Sequence, residues 1–400
     1  MTHYKNSPIL TTFYAAAGHL MMHMFAAFYF VIVLAIEDDW KFSYDELINL
    51  WLIGSLLVGL GAIPAGWLSD RWSRSGMVAI MFIGLGVTSI LCGFSENKLS
   101  LMINLSFLGL FCSIYHPAGI SWIVNTSKET GKALGFNNIF GGVGIGIGAL
   151  SAGIIIDTFN WHFAFIIPGI VSILIGLMLI WHINNKKISL ANIVSEKFND
   201  TPNQKQMLKI AIIMLVSITC MAFVYQILQS SLPKAIDIRL SEKLSLETSD
   251  IGIMVSLIYI ISGVMNFFGG ILADKYSDKN IYLIGIIGQG FLLLFIFSLS
   301  NYFLIVISLF IVAFNSSILP AENLLLARFS PQKHQSLVYG IKFIVSFAIA
   351  PIALFLIATS YEVTREFSYL YLSCGVMMIV LFLIVLYLPS SKKFEIDSMI

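Results

Sequence analysis

Twelve predominantly apolar runs, each close to the ~20 residues an α-helix needs to cross a bilayer, constrain this chain more than any other feature. They fall at about 9–36, 47–66, 77–94, 99–122, 133–156 and 163–183, then at 208–235, 251–272, 281–299, 302–326, 337–359 and 367–388. Hydrocarbon offers backbone N–H and C=O groups no water, so such runs predict spanning helices that satisfy their own hydrogen bonds. The first run is longer than the apolar core of a secretory signal and is followed by more of its kind, so it reads as a helix rather than a leader. The expected fold is an all-α membrane protein of about twelve transmembrane helices in two pseudo-symmetric six-helix bundles.

The remaining residues are consistent with that solvent. The chain is 58% hydrophobic and 11% charged, against about 25% charged residues in soluble domains. A formal net charge of +1 argues against a nucleic-acid partner, which requires a basic excess. Cys92, Cys112, Cys220 and Cys374 lie inside apolar runs without metal-ligand spacing and read as packing residues. Residues 184–206 carry Lys186, Lys187, Glu196, Lys197, Asp200 and Lys205, too polar for hydrocarbon, and predict a surface linker between bundles at 1–183 and 207–400. With both termini on one side, Arg71, Arg74, Lys128, Lys132, Lys275, Lys279, Arg328 and Lys333 share that side. Glu37, Asp38, Asp39, Asp45, Glu46, Asp237 and Glu242 then crowd the other. The positive-inside rule makes the basic side cytoplasmic, as in a multi-pass protein of a bacterial-type inner membrane.

Between the second and third runs stands Gly66-Trp-Leu-Ser-Asp70-Arg71-Trp-Ser-Arg74, read as a charged turn. Gly270-Ile-Leu-Ala-Asp274-Lys275 repeats its core half a chain later, with Gly59 and Gly263 at matching offsets upstream. A doubled word at a fixed position indicates a duplicated half. Two six-helix halves, a central linker and this repeated turn resemble the major facilitator superfamily over the whole chain. Gly18-His19-Leu20 with His23, and Ser113-Ile-Tyr115-His116-Pro117, resemble more narrowly its fosmidomycin-resistance-type branch, although Ala118 stands where that branch usually has an acid. The resemblance implies that Gly66, Asp70, Arg71, Arg74, Gly270, Asp274 and Lys275 form conformational latches. Asp70 would face the helix beginning near Ser336, and Asp274 the one beginning near Lys132. Ser73 and Ser277 replace frequent glycines, and Asp278 replaces a common basic residue, so the second copy is the weaker latch. The fold also implies that the first and fourth helices of each half line a central cavity.

In the fifth run, Gly141, Gly142, Gly144, Gly146, Gly148 and Gly153 lie at small-xxx-small spacing, which lets helix backbones approach closely. No Gly-Lys-Ser/Thr follows, so this is not a phosphate loop. It resembles the superfamily's antiporter motif, with Ala149 in place of the proline.

Ionisable groups inside a span cost about 2.5–3.5 kcal/mol on insertion scales, and few are present. His19 and His23 share a helix face, and His116 precedes Pro117. They are the expected substrate or proton site, as neutral imidazole titrates near ~6.5. With no Asp, Glu or Cys at ligand spacing, no metal and no cofactor are expected. Tyr225, Gln226, Gln229 and Glu322 are further candidates for that site, and Glu322 and Lys342 lie at similar depth, as an ion pair requires. With no nucleotide loop or nucleophile constellation, an enzyme is not expected. The expected function is secondary transport of a small organic solute by alternating access, with proton-coupled export of a drug-like or anionic metabolite first. Proton-linked uptake is the alternative, and a non-transporting receptor or scaffold on the same fold is the rival from another class. The expected partners are the solute, protons and lipid; a monomer is compatible with the sequence, which leaves the oligomeric state open.

Overall fold

A computed structural model of the chain describes residues 7–126, 130–190, 204–329, 342 and 344–389. These residues contain twelve helices long and apolar enough to cross a membrane, and no strand. They are α1 (Ile9–Trp40), α2 (Tyr44–Arg71), α3 (Arg74–Gly93), α4 (Lys98–Thr126), α5 (Ala133–Thr158), α6 (Trp161–Asn184), α7 (Lys209–Ser241), α8 (Thr248–Ala273), α9 (Asp278–Ile296), α10 (Phe303–Leu326), α11 (Ile344–Thr364) and α12 (Ser368–Val385). The face where α1, α3, α5, α7, α9 and α11 begin is called proximal below, and the opposite face distal.

Several elements outrun the apolar pattern. α1 and α7 extend past the expected ends at 36 and 235 to Trp40 and Ser241, so Glu37, Asp38, Asp39, Asp237 and Arg239 are helical rather than loop residues. Ion pairing of Glu37, Asp237 and Arg239 across the distal face offsets their polarity there. α4 carries a π-turn at His116–Ile120, where Pro117 supplies no backbone N–H and the helical register must adjust. The Gly66–Arg71 stretch is not a turn but the end of a helical segment, Ala62–Arg71. Only Trp72 and Ser73 leave the helix, and the Ser73 hydroxyl accepts from the Gly76 N–H at 3.0 Å to cap α3. Serine serves this position because a capping oxygen, not a flexible backbone, is what the next helix needs.

The two halves meet most extensively where α5 packs on α8, and the glycine run explains the fit. A Cβ on Gly142 would stand 2.8 Å from Gly263 N, and one on Gly146 2.9 Å from Ser256 O, both in α8. On another face, Gly144 and Gly148 abut α1, where an added Cβ would stand 2.3 Å from Leu20 O and 3.0 Å from Met24 O. One helix therefore presents two bare backbone surfaces, one to its own half and one to the other.

At the distal face the halves are tied by polar contacts. Lys234 Nζ bonds Glu37 Oε2 at 2.7 Å and Asp237 Oδ2 at 2.8 Å, the Ser249 N–H donates to Asp157 Oδ2 at 2.6 Å, and the Tyr44 hydroxyl donates to Ser230 O at 3.2 Å. Tyr44 also packs edge-on to Tyr361 at 5.1 Å, and the two rings lie 5.6 and 5.5 Å from the Lys234 ammonium. At the proximal face α6 ends at Asn184 and the next helix begins at Gln204; the expected linker lies largely outside the described residues. So do the helix start near Ser336 and the side chains of Lys132 and Asp274, although the helix that carries Lys132 is described from Thr130.

Candidate functional site

Three histidines from two helices converge in the first half. One nitrogen from each of His19, His23 and His116 lies within 4.8 Å of the others. The i to i+4 spacing puts His19 and His23 on one face of α1, with ring centroids 4.9 Å apart. His116, at the start of the π-turn, presents its ring 5.5 Å from His19 and 5.6 Å from His23, close to perpendicular to both. His19 is buried, whereas His23 and His116 keep partial exposure. Phe347 of α11 reaches across from the second half to within 5.1 Å of His116.

The surroundings hold His19 in place. Its ring stacks on Tyr115 at 4.8 Å and 15°, and the Tyr115 hydroxyl donates to Asn137 Oδ1 at 2.7 Å. His19 Nδ1 lies 2.8 Å from Asn137 O and 3.1 Å from Asn137 Nδ2. An unprotonated Nδ1 would oppose lone pair to lone pair at the shorter contact, so the proton sits on Nδ1 and donates to the carbonyl. Nε2 is then the bare nitrogen. It faces Gly141, where a Cβ would stand 3.1 Å from it, so the glycine leaves that lone pair accessible. Asn137 was visible in the sequence only as a polar residue before a glycine run; nothing there signalled that it orients a histidine of α1.

A second buried polar cluster belongs to the other half. Lys342 Nζ lies 2.6 Å from Glu322 Oε1 and 2.6 Å from Asn323 Oδ1, and both charged side chains are under a tenth exposed. The Tyr282 hydroxyl donates to Glu322 Oε2 at 2.8 Å and meets Ser217 Oγ at 2.5 Å. Each carboxylate oxygen thus has a partner, the condition for tolerating a charge at such depth. Gln229 is buried, while Tyr225 and Gln226 are half-buried. Tyr225 packs 6.3 Å from Tyr259, whose buried hydroxyl has no hydrogen-bond partner among the described residues. Gln289 and Asn315 bond each other at 3.1 Å and Met221 besides, so their polar groups are used in helix packing.

The doubled motif has matching surroundings in its two copies. Gly66 faces Pro117 of α4, and Gly270 faces Pro320 of α10, each glycine lying beside the proline of its half's fourth helix. Asp70 pairs with Arg74 across the Trp72–Ser73 break at 3.0 Å, and the Arg71 guanidinium lies 4.4 Å over the Trp67 ring. Lys275 is exposed.

Comparison with known proteins places these features in context. The family model described as Major Facilitator Superfamily matches residues 15–246 and 218–396. The multidrug resistance protein MdtG of Proteus mirabilis is 26% identical over 344 residues, covering 80% of this chain and 79% of that one. The niacin transporter NiaP of Acinetobacter baylyi is 25% identical over 150 residues, 37% of this chain and only 34% of its own length. Among solved structures, a peptide transporter complexed with sulfate superposes with a TM-score of 0.76 at 16% identity, covering 94% of this chain and 93% of that one. An inward-facing, unoccupied bacterial homolog of the human lysosomal transporter Spinster gives 0.69 at 14% identity, covering 96% and 95%. At these identities the structural likeness is one of fold.

Proposed function

Because the chain belongs to the Major Facilitator Superfamily, whose model matches both of its halves, we propose that it carries a small organic solute across the membrane by alternating access, coupled to protons. The observation that carries this reading is the histidine cluster with Phe347 of the opposite half against His116. A site with walls from both halves changes its exposure when the halves rock against each other. In this reading the bundles are 1–183 and 207–400, joined by a linker at 184–206, with the proximal face cytoplasmic in an inner membrane. His19, His23 and His116 meet the solute from one side, with Tyr225, Gln226, Gln229 and Tyr259 supplying polar groups from the other.

The proton is carried at Glu322. Its carboxylate can exchange the Lys342 partner for a proton, which alters the charge of a buried network and hence the conformational balance. The distal contacts of Lys234 close one gate. Asp70, Arg71 and Arg74, with Gly66 admitting the close approach of Pro117, act at the other, and Gly270, Asp274 and Lys275 repeat the arrangement in the second half. Export is the favoured direction, since a relative aligned over 80% of this chain is named for multidrug resistance.

Flux in proteoliposomes with an imposed pH gradient tests the proposal, on a panel of aromatic acids, vitamins and cationic drugs. Solute movement against its own gradient, driven by inward protons, is expected. Movement in the proton direction would replace export by uptake. Saturable binding with no flux of any bound compound would overturn the transport reading in favour of a receptor.

A further inference from the structure

We propose that His19, His23 and His116 form a binding site for one divalent first-row transition ion, of the zinc or cobalt class. The inference goes beyond solute transport and depends on neither the solute nor its direction. Three neutral imidazoles suit such borderline cations, which take nitrogen ligands at about 2.0–2.1 Å. Tetrahedral coordination at that length sets nitrogens about 3.4 Å apart. The three nitrogens already lie within 4.8 Å of one another, so ring movements on the order of 1 Å complete the site.

Two further observations point to a ligand. His19 donates Nδ1–H to Asn137 O at 2.8 Å, the hydrogen bond from the non-ligating nitrogen that metal-bound histidines almost always make. Asn137 is itself held by the Tyr115 hydroxyl at 2.7 Å, and Tyr115 stacks on the His19 ring. The ring is therefore held in tautomer and orientation, with Nε2 on the side of Gly141. Gly141 then leaves open the space in front of Nε2 that a Cβ would narrow to 3.1 Å. Hydrogen-bonded packing histidines need neither a common focus nor an open approach to a bare lone pair. Three protein ligands leave a fourth position, which water or an anionic oxygen fills, as in open metal sites. An anionic fourth ligand also offsets part of the dication's charge, which three neutral rings do not.

The test uses the full-length protein, free of any affinity tag, in detergent or nanodiscs, with Co2+ and then Zn2+ as probes. Titration with Co2+ is expected to give the visible absorption of a tetrahedral, nitrogen-rich complex at one ion per chain, bleached by Zn2+. His23→Gln is expected to weaken Zn2+ binding at least tenfold, and Gly141→Ala, which keeps all three ligands but crowds Nε2, to weaken it in the same direction. Monodispersity and thermal stability without metal establish that each variant is folded. The other four histidines, His3, His162, His182 and His334, lie elsewhere in the sequence. Binding that persists unchanged when all three cluster residues are replaced belongs to those four and overturns the proposal, as does the absence of saturable binding to wild type. Neither result bears on flux, so the metal site and the transport reading fail separately.

Discussion

Lys234 and Glu37 join the two halves of the molecule at its distal face: the ammonium lies 2.7 Å from the carboxylate, and the Lys234 side chain is 7% exposed. Asp237 adds a second carboxylate at 2.8 Å from the lysine's own helix, so Lys234 is neutralised whether or not Glu37 is near. The interdomain bond can therefore break without stranding a bare cation.

Lys234→Met removes that tie. Charge-assisted hydrogen bonds contribute about 1.5–3 kcal/mol, and 1.4 kcal/mol is tenfold in an equilibrium, so the distally open population should rise tenfold or more. Thiol labelling of a cysteine introduced beside the distal seam is expected to accelerate accordingly. Asp70→Asn should act oppositely, by exposing residues toward the proximal face. If neither variant changes labelling or flux, the latch assignments fail.

Glu322 and Lys342 supply a second prediction. Removing one partner of a buried pair costs about 3–5 kcal/mol, because the other charge stays behind without compensation. Glu322→Gln should lower thermal stability less than Lys342→Met, since the amide still accepts from Tyr282 and Lys342 retains Asn323. Both should lose proton-driven flux. The exchange Glu322→Lys with Lys342→Glu should recover expression lost in each single exchange; absence of recovery would show that the surrounding Tyr282 and Asn323 fix the sign of each position.

Glu366 connects stability to pH. Burial alone would raise its carboxyl pKa, but hydrogen bonds and charge from Arg239, the Ser368 hydroxyl and the Phe367 N–H outweigh that and hold it below the ordinary carboxylate value. Its stabilisation is therefore complete above the unfolded value of about 4.3 and is lost as pH falls through the lower folded value. Glu366→Gln should destabilise the distal end by about 1–3 kcal/mol at neutral pH. The gap from wild type should close as thermal unfolding is followed below about pH 4. A gap that stays constant with pH would show that Arg239 owes its position to Ile296 O and Leu299 O instead of to the carboxylate.

The sequence by itself determined the solvent, the number of helices and the halving of the chain, because apolar runs of ~20 residues have few alternatives in a bilayer and a repeated motif records duplication directly. It also singled out His19, His23, His116, Glu322 and Lys342, since ionisable residues stand out against apolar spans. What it did not contain is which of them meet. Glu37 read as a loop charge and Lys234 as the end of an apolar run, yet they pair across the interface, and α1 lengthens to carry Glu37 there. Asn137 looked like a polar residue at the edge of a glycine run, and only the approach of α5 to α1 turns its carbonyl toward His19. Helix formation follows from contiguous residues, whereas these contacts depend on the rotation and separation of helices far apart in the chain. Those are set by where the glycine backbones of α5 allow α1 and α8 to come close.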